Sequence, residues 1–181
     1  MANPSIEDCM AALDEWLHDF DNIARTGLAT YRQYPPEILV EHDTRANACC
    51  VYSHMVAEAD RRFLGKKSIT SLDIRGLKVW VFGDHSVIRF KKMDEDGKSR
   101  NYPTKQAKDF DYGNQLPGLP EPAIRLSVGY LPDPTGTSVR RTQIARPAGK
   151  GIEWCAAIVP ETEWQPGKKR WENVTKQQSF G

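Results

Sequence analysis

The spacing of apolar residues changes once along this chain, near residue 65, and this change constrains the fold more than any other feature. Before it, apolar side chains recur every three or four residues, which is the spacing of one face of an α-helix. From Ser68 onward they alternate or form short runs between Pro and Gly residues, as is typical of β-strands. Helices that precede the strands, and do not alternate with them, predict an α+β fold with helices packed on one face of a sheet.

Two helices are predicted in the N-terminal part, and we expect them to form an antiparallel hairpin. Ser5 is placed to cap the first helix, with Asp8 three residues later to complete a capping box. The core-facing stripe of this helix consists of Ile6, Met10, Leu13, Leu17, Phe20 and Ala24. A Pro-Pro pair ends it, and a second helix is predicted from Pro36 or Glu37 to about Leu64.

Five β-strands are predicted in the rest of the chain, at 77–82, 87–91, 124–130, 138–146 and 152–159. Thr104 is placed to cap a short helix between the second and the third strand. The sheet is predicted to be five-stranded and largely antiparallel, with a curled, barrel-like sheet as the alternative.

We expect a single domain over residues 1–181. It would consist of an acidic helical hairpin (1–65), a basic β-rich part (68–159) and a tail (160–181) that carries Trp164 and Trp171. The tail is predicted to be loosely structured unless these two tryptophans hold it against the domain.

Charge is divided unevenly along the chain, although the net charge is only +1. Residues 1–64 carry five Lys/Arg and eleven Asp/Glu, a balance of −6, whereas residues 65–181 carry twenty and thirteen, a balance of +7. This division predicts an acidic helical layer against a basic sheet layer whose exposed face would suit a polyanion. The alternative is a scatter of surface charges that share no ligand.

The cysteines and the apolar runs bear on where the protein works. The four cysteines are Cys9, Cys49, Cys50 and Cys155; they form no CxxC pair, and we expect reduced thiols. The N-terminal segment carries acids and lacks the apolar core of a signal peptide. No apolar run approaches the ~18 residues of a membrane helix. The chain is therefore predicted to be cytoplasmic and to have no membrane partner.

The stretch VIRFKKMDEDGKSRNYPT, residues 87–104, concentrates basic charge in the β-rich part. Its candidate phosphate ligands in a nucleic-acid-binding surface are Arg89, Lys91, Lys92, Lys98 and Arg100. Arg89 and Lys91 share one strand face, so Phe90 between them is predicted to lie in the core. A second basic set surrounds Gly149-Lys150-Gly151, which we interpret as a hairpin turn and not as a phosphate loop. The alternative for the whole stretch is a solvated sheet face whose lysines protect an edge strand.

The same stretch resembles, in outline, the core of restriction-type nucleases, which hold Mg²⁺ with strand-end carboxylates. Asp84 and His85 are then the candidate catalytic residues, as metal ligand or general base. The next strand, however, has Arg89-Phe90-Lys91 where an acid-x-Lys is required, and arginine cannot bind Mg²⁺. Mg²⁺ is therefore expected only if the protein is a nuclease, and no other cofactor or metal site is predicted.

Four segments together resemble small proteins of prokaryotic mobile and defence loci: RFKKMD (89–94), SRNYPTKQAKDF (99–110), LPGLP (116–120) and VGYLPDPTG (128–136). Some proteins of that group are encoded beside regulators that combine a helix-turn-helix with a zinc-peptidase-like domain. The resemblance covers about residues 75–160 and includes no catalytic motif. It implies a toxin or effector that a cognate antitoxin or regulatory protein holds in check.

Two hypotheses about function follow. The first is an effector or toxin of a toxin–antitoxin or phage-defence system that binds or acts on nucleic acid through its basic sheet region. The alternative is a protein-interaction or regulatory module without enzymatic activity, which would dock a partner through the acidic helical hairpin or the Trp-bearing tail. A small-molecule enzyme with a sheet-lined pocket is a further possibility, although no phosphate loop, nucleophile elbow or dinucleotide fingerprint supports it. Enzymatic activity stays an open question.

Overall fold

The computed structural model describes residues 3–99, 104–121 and 123–176, and it confirms an α+β architecture in which the helices come first. The α-helices are α1 (Ile6–Ala12), α2 (Leu17–Arg32), α3 (Pro36–Leu39), α4 (Thr44–Phe63) and α5 (Lys105–Asp111). A short 3-10 helix, Asp14–Trp16, lies between α1 and α2, so the predicted first helix is divided. The strands are β1 (Ile69–Ile74), β2 (Leu77–Phe82), β3 (Ser86–Lys92), β4 (Ile124–Pro132), β5 (Val139–Ala148), β6 (Gly151–Ile158) and β7 (Trp171–Asn173).

Side-chain caps set where the N-terminal helices begin. Ser5 Oγ accepts a hydrogen bond from the Asp8 amide at 3.2 Å, and the Asp8 carboxylate accepts one from the Ser5 amide at 3.0 Å, so the predicted capping box is present. The predicted second helix is divided into α3, which ends at Leu39, and α4. Asp43 interrupts it, because its carboxylate accepts from the Ala46 amide at 2.8 Å and its own backbone is extended, as at other helix N-caps.

The predicted helical hairpin forms between α2 and α4, where Gly27 permits a close contact. A Cβ at Gly27 would lie 2.4 Å from Met55 Cγ and 3.2 Å from the Val51 carbonyl oxygen. Gly27 lies in the interior of α2, which continues to Arg32. The buried stripes of α1, α2 and α4 pack on one face of the sheet, which we call the first face.

The sheet has seven strands in the order β1-β2-β3-β4-β5-β6-β7, two more than predicted. Five of its six neighbouring pairs are antiparallel, whereas β3 and β4 are parallel, so the sheet is mixed. The sheet is not strongly curled, and the barrel-like alternative is wrong. Parallel neighbours need a crossover connection, which the chain between β3 and β4 supplies together with α5.

The two strands that the sequence pattern missed lie at the sheet edges. β1 has an exposed, polar outer part that includes Thr70, Ser71 and Asp73, so its apolar alternation is weak. Its hairpin to β2 turns at Arg75-Gly76, where both residues have positive φ (51° and 89°), as a type I′ turn requires. β7 has only three residues, too few for a periodic signal.

Successive residues of the sheet point to opposite faces, as strand geometry requires. Ile88 and Phe90 of β3 join the helical core on the first face, which confirms the predicted core position of Phe90. Val87 packs on the opposite, second face with Phe110 of α5. Arg89 is also buried, and its guanidinium lies over the Phe110 ring, so this second face contains polar groups as well as an apolar cluster.

The C-terminal segment is integrated into the domain through residue 176. Trp171 is buried in the helical core cluster, and β7 pairs with β6. Trp164 Nε1 donates to the Val159 carbonyl oxygen at 2.8 Å. The two tryptophans therefore hold the tail in place, which was one of the two predicted outcomes.

None of the helices in the described part of the chain is both long enough and apolar enough to cross a membrane. All four cysteines are free thiols, as predicted. Cys9 and Cys155 are buried, whereas Cys49 is exposed.

Candidate functional site

A cavity of about 690 Å³ lies on the second face of the sheet, between α5, the parallel pair β3–β4 and the β5–β6 hairpin. Six basic side chains line it: Arg89, Lys91, Lys98, Lys105, Lys108 and Lys150. Among the described residues, its acidic lining consists of Asp109 and Asp111, which leaves a formal excess of four positive charges. We call this space the cationic cavity; its volume is typical of sites for small ligands, which span roughly 300–1,000 Å³.

Gly129 brings β3 and β4 together at the edge of the cationic cavity. It pairs with Lys91 in the parallel register, and a Cβ at this position would lie 1.8 Å from the Lys91 carbonyl oxygen. No side chain can occupy that space, so the position requires glycine. The close contact fixes the backbone of Lys91 beside β4.

The β5–β6 hairpin closes the opposite side of the cavity. The Gly149 amide donates to the Asp111 carbonyl oxygen at 2.8 Å, and the Tyr112 ring packs against Gly149. Gly149 has a φ of 63°, in the left-handed region that favours glycine. The segment is thus the predicted hairpin turn, and it is docked on the C-terminal end of α5 with the exposed Lys150 at its tip.

A buried ion pair forms the floor of the cationic cavity. Arg89, which is 2% exposed, donates from Nη2 to Asp111 Oδ1 and from Nε to Ser127 Oγ at 2.8 Å. Its guanidinium lies 4.4 Å from the centre of the Phe110 ring. Burial lowers the pKa of Arg89 and raises the pKa of Asp111, and each charge opposes the shift of the other. Arginine nevertheless stays protonated in proteins, so the pair is ionic.

Lys91 lies two residues beyond Arg89 on the same strand face and is half-buried. It forms no salt bridge with any described residue, and its ammonium lies 5.6 Å from the centre of the Tyr52 ring. Burial, reinforced by the positive charge of Arg89, lowers the pKa of Lys91 to about 8. The Lys91 ammonium therefore loses its proton at a lower pH than a solvated lysine does.

The other four lysines, Lys98, Lys105, Lys108 and Lys150, are exposed around the mouth of the cavity. None of them forms a salt bridge within the described part of the chain. Of the two carboxylates of the lining, Asp111 is paired with Arg89, whereas Asp109 accepts a hydrogen bond from the neutral Asn114 Nδ2 at 3.0 Å and keeps its charge, so six basic groups face two acidic ones. Basic residues elsewhere are often paired, as Arg140 is with Glu95 and Lys169 with Glu7. The mouth therefore carries positive charge that the protein itself leaves uncompensated.

The structure assembles part of the predicted phosphate-binding set. Lys91 and Lys98 line the cavity together, whereas Lys92 is half-buried and does not line it. Arg89 lies on the floor, but its guanidinium is committed to Asp111 and Ser127, which argues against its predicted role as a phosphate ligand. Arg100 lies outside the described residues.

The predicted set of phosphate ligands did not include Lys105, Lys108 and Lys150, although the first two closely follow Lys98 in the sequence. Lys105 and Lys108 are on α5, which crosses the second face only because β3 and β4 are parallel. Lys150 comes from a hairpin about sixty residues beyond β3 in the sequence. The signal that pointed to it was the Gly-Lys-Gly sequence of its turn.

Asp84 and His85 lie at the other end of β3, outside the cationic cavity. They are exposed in the β2–β3 turn, where His85 Nδ1 is 2.9 Å from Ser86 Oγ. They line a separate cavity of about 740 Å³, whose Arg125 is paired with Glu121 and whose Arg146 is paired with Glu153. The described residues contain no group of three or more His, Cys, Asp or Glu that could hold a metal ion.

Comparisons of the chain with protein-family models, with curated proteins and with solved structures find no significant match.

Proposed function

We propose that this protein binds single-stranded nucleic acid in the cationic cavity, with Lys98, Lys105, Lys108 and Lys150 as phosphate ligands. The observation that carries the proposal is the excess of four positive charges in the lining of a concave site, with these four exposed lysines around its mouth. Lysine side chains that neutralise phosphates release condensed counterions, which is the main source of affinity for nucleic acids.

An exposed aromatic side chain supports a single strand as the ligand. Tyr112 follows α5 at the rim of the cavity and is 52% exposed. Its ring packs against Gly149, and the rest of the side chain stays accessible to a ligand. Unpaired bases stack on aromatic rings of this kind, whereas the bases of a duplex are already stacked on each other. An extruded base also fits into a concave site, whereas the convex surface of a duplex fits there less well.

The test is fluorescence anisotropy with labelled single-stranded DNA and RNA across a salt series. We expect the variant K98A/K105A/K150A to bind at least about ten-fold more weakly and to show a salt slope smaller by about two, because three phosphate contacts are lost. The matched control is R45A/K67A/K168A, which removes the same charge from exposed basic residues outside the cavity that form no salt bridge with described residues. Equal losses in the two variants would show that only net charge matters and would overturn the proposal.

The resemblance to proteins of prokaryotic defence loci indicates a biological role for this binding. On that basis nucleic-acid binding would serve a toxin or effector that a cognate partner restrains. Expression in bacteria without the partner should then slow growth, and K98A/K105A/K150A should relieve the effect. If this variant inhibits growth as strongly as the wild type, the effector activity does not depend on the cavity.

A second candidate function is the docking of a protein partner at α3. Ile38 is 40% exposed and Val40 is 83% exposed, and both lie in the acidic helical half of the molecule. The tail is a poor alternative for docking, because Trp171 is buried in the core. Under this hypothesis, Ile38→Asp with Val40→Asp would abolish capture of a basic partner protein and would leave nucleic-acid binding unchanged.

A further inference from the structure

Lys91 differs from every other lysine of the cationic cavity in its surroundings. The other four are exposed, whereas Lys91 is half-buried beside the ring of Tyr52. Its positive neighbour on the same strand face is Arg89, and the carboxylate that would be expected to balance it, Asp111, is bonded to Arg89 instead. The chain therefore places an amine beside a bound guanidinium and gives it no salt-bridge partner among the described residues.

These surroundings favour the unprotonated amine of Lys91, which is the nucleophilic form of a lysine side chain. With a pKa of about 8, roughly a tenth of the Lys91 amines are unprotonated at pH 7, compared with fewer than about one in a thousand for an ordinary lysine. An unprotonated amine attacks carbonyl carbons, and desolvation beside another cation is a known way to activate lysine for this chemistry. A lysine placed only for phosphate binding would gain nothing from losing its proton.

We propose that Lys91 forms an imine with the aldehyde of a phosphate-bearing sugar held in the cationic cavity. The inference rests on the proposed function, because the exposed lysines would hold the phosphate next to the aldehyde. Such an aldehyde occurs in the ring-opened sugar of an abasic site in nucleic acid and in free sugar phosphates. In both, the carbonyl lies a few bonds from a phosphate, and Lys91 lines the same cavity as the exposed lysines.

The step balances as an amine–carbonyl condensation. The Lys91 nitrogen adds to the aldehyde carbon, and transfer of a proton from this nitrogen to the new alkoxide oxygen gives a carbinolamine. The hydroxyl group is then protonated and leaves as water, and the resulting iminium ion loses its proton to water, so the net products are an imine and one water molecule. Cyanoborohydride, added as the reductant, delivers hydride to the imine carbon and converts the adduct to a stable secondary amine.

The experiment is reductive trapping followed by peptide mapping by mass spectrometry. The probes are a single-stranded oligonucleotide with one abasic site, glyceraldehyde 3-phosphate, and unphosphorylated glyceraldehyde. We expect an adduct at Lys91 with the phosphorylated probes, a yield lower by about ten-fold or more in K91M and K91R, and a much lower yield with glyceraldehyde. The variant K67M, which removes an exposed lysine outside the cavity, should give the wild-type yield. The phosphorylated probe that is trapped faster identifies the source of the aldehyde.

Two results would overturn the inference: adducts distributed over the exposed lysines with an unchanged yield in K91M, or no adduct at all. Binding of the intact oligonucleotide, measured in parallel, separates this failure from that of the proposed function. If the oligonucleotide binds normally but no adduct forms, only the imine chemistry is excluded. If the sugar phosphate is trapped at Lys91 but the oligonucleotide does not bind, only nucleic acid as the ligand is excluded. Thermal unfolding of K91M and K91R shows that each variant is folded.

Discussion

Two neighbouring basic residues on one strand face have opposite roles in this protein. Arg89 is buried, donates to Asp111 and Ser127, and lies over the Phe110 ring, so its charge is neutralised inside the fold. Lys91 lacks a salt-bridge partner among the described residues and keeps its charge at a cost, which its lowered pKa expresses. A half-buried charge without a salt bridge lowers the stability of the fold, and an apolar residue would pack better at a position with a purely structural role. Lys91 is therefore a candidate for function.

The lowered pKa of Lys91 predicts that the stability of the protein depends on pH, and Lys91→Met should remove this contribution to the pH dependence. The pKa of Lys91 is about 8 in the folded protein and about 10.4 in the unfolded chain, so the unfolded chain binds more protons between these values and stability rises with pH across that window. We expect K91M to be more stable than the wild type by about 1 kcal/mol at pH 7, and the difference to shrink as the pH rises above 8. Urea unfolding of both proteins at pH 7.0 to 9.5 in steps of about half a unit measures it.

The comparison between the two proteins is needed because buried Cys155 and half-buried Tyr52 have raised pKa values, which lower the stability of both proteins as the pH rises. K67M is the control, and its stability should follow that of the wild type at each pH. A difference between K91M and the wild type that stays constant with pH would contradict the assignment.

At the scale of elements, the parallel pairing of β3 and β4 creates the candidate site. An antiparallel hairpin at this point would need only a short turn, whereas the parallel register requires the chain to cross the second face. This crossover brings α5 with Lys105 and Lys108 over the floor that Arg89 forms. The strands and the Thr104-capped helix were predictable from local patterns. Their parallel pairing was not, because it depends on which strand edges meet and not on any residue's own preference.

Gly129→Ala should disrupt this pairing. Its Cβ would overlap the Lys91 carbonyl oxygen, and the backbone of β3 cannot move without breaking its ladder with β4. We expect a loss of about 3 kcal/mol or more in the free energy of unfolding, together with loss of ligand binding in any folded fraction.

Gly136→Ala is the matched control for this substitution. Gly136 has a φ of 70° and open space around it, so alanine there should cost only about 1 kcal/mol of backbone strain. Equal costs at the two positions, measured by thermal unfolding, would show that the close contact at Gly129 is not a constraint.

At the scale of the whole molecule, the charge asymmetry of the sequence corresponds to a layered structure. The acidic N-terminal segment covers the first face of the sheet as helices, and the uncompensated lysines surround a cavity on the second face. Salt bridges between distant segments, such as Lys169 with Glu7 and Lys78 with Asp60, use part of the opposite charge in holding the layers together. The remaining positive charge at the cavity is therefore local, although the net charge is close to zero.

The tail belongs to this layered structure, so its removal should unfold the domain. Deletion of residues 161–181 removes β7 and the buried Trp171 ring, and loss of a buried tryptophan alone costs about 3 kcal/mol or more. We expect the truncated chain to have a much lower melting temperature or to be insoluble. Deletion of residues 177–181 alone is the control, because it keeps every described contact of the tail. A truncated chain with the melting temperature of the wild type would show that the tail is dispensable.

The sequence by itself determined the local elements of this protein. Apolar spacing and capping residues act between neighbours in the chain, and they correctly indicated the helical hairpin, the central strands, α5 and the core position of Phe90. The tertiary structure decided which charges remain available. Arg89 and Lys91 are two residues apart and equally basic, yet Asp111, from a helix about twenty residues away, neutralises one and leaves the other. Compensation of charge depends on distances through space, and those distances follow from strand pairing and crossover connections.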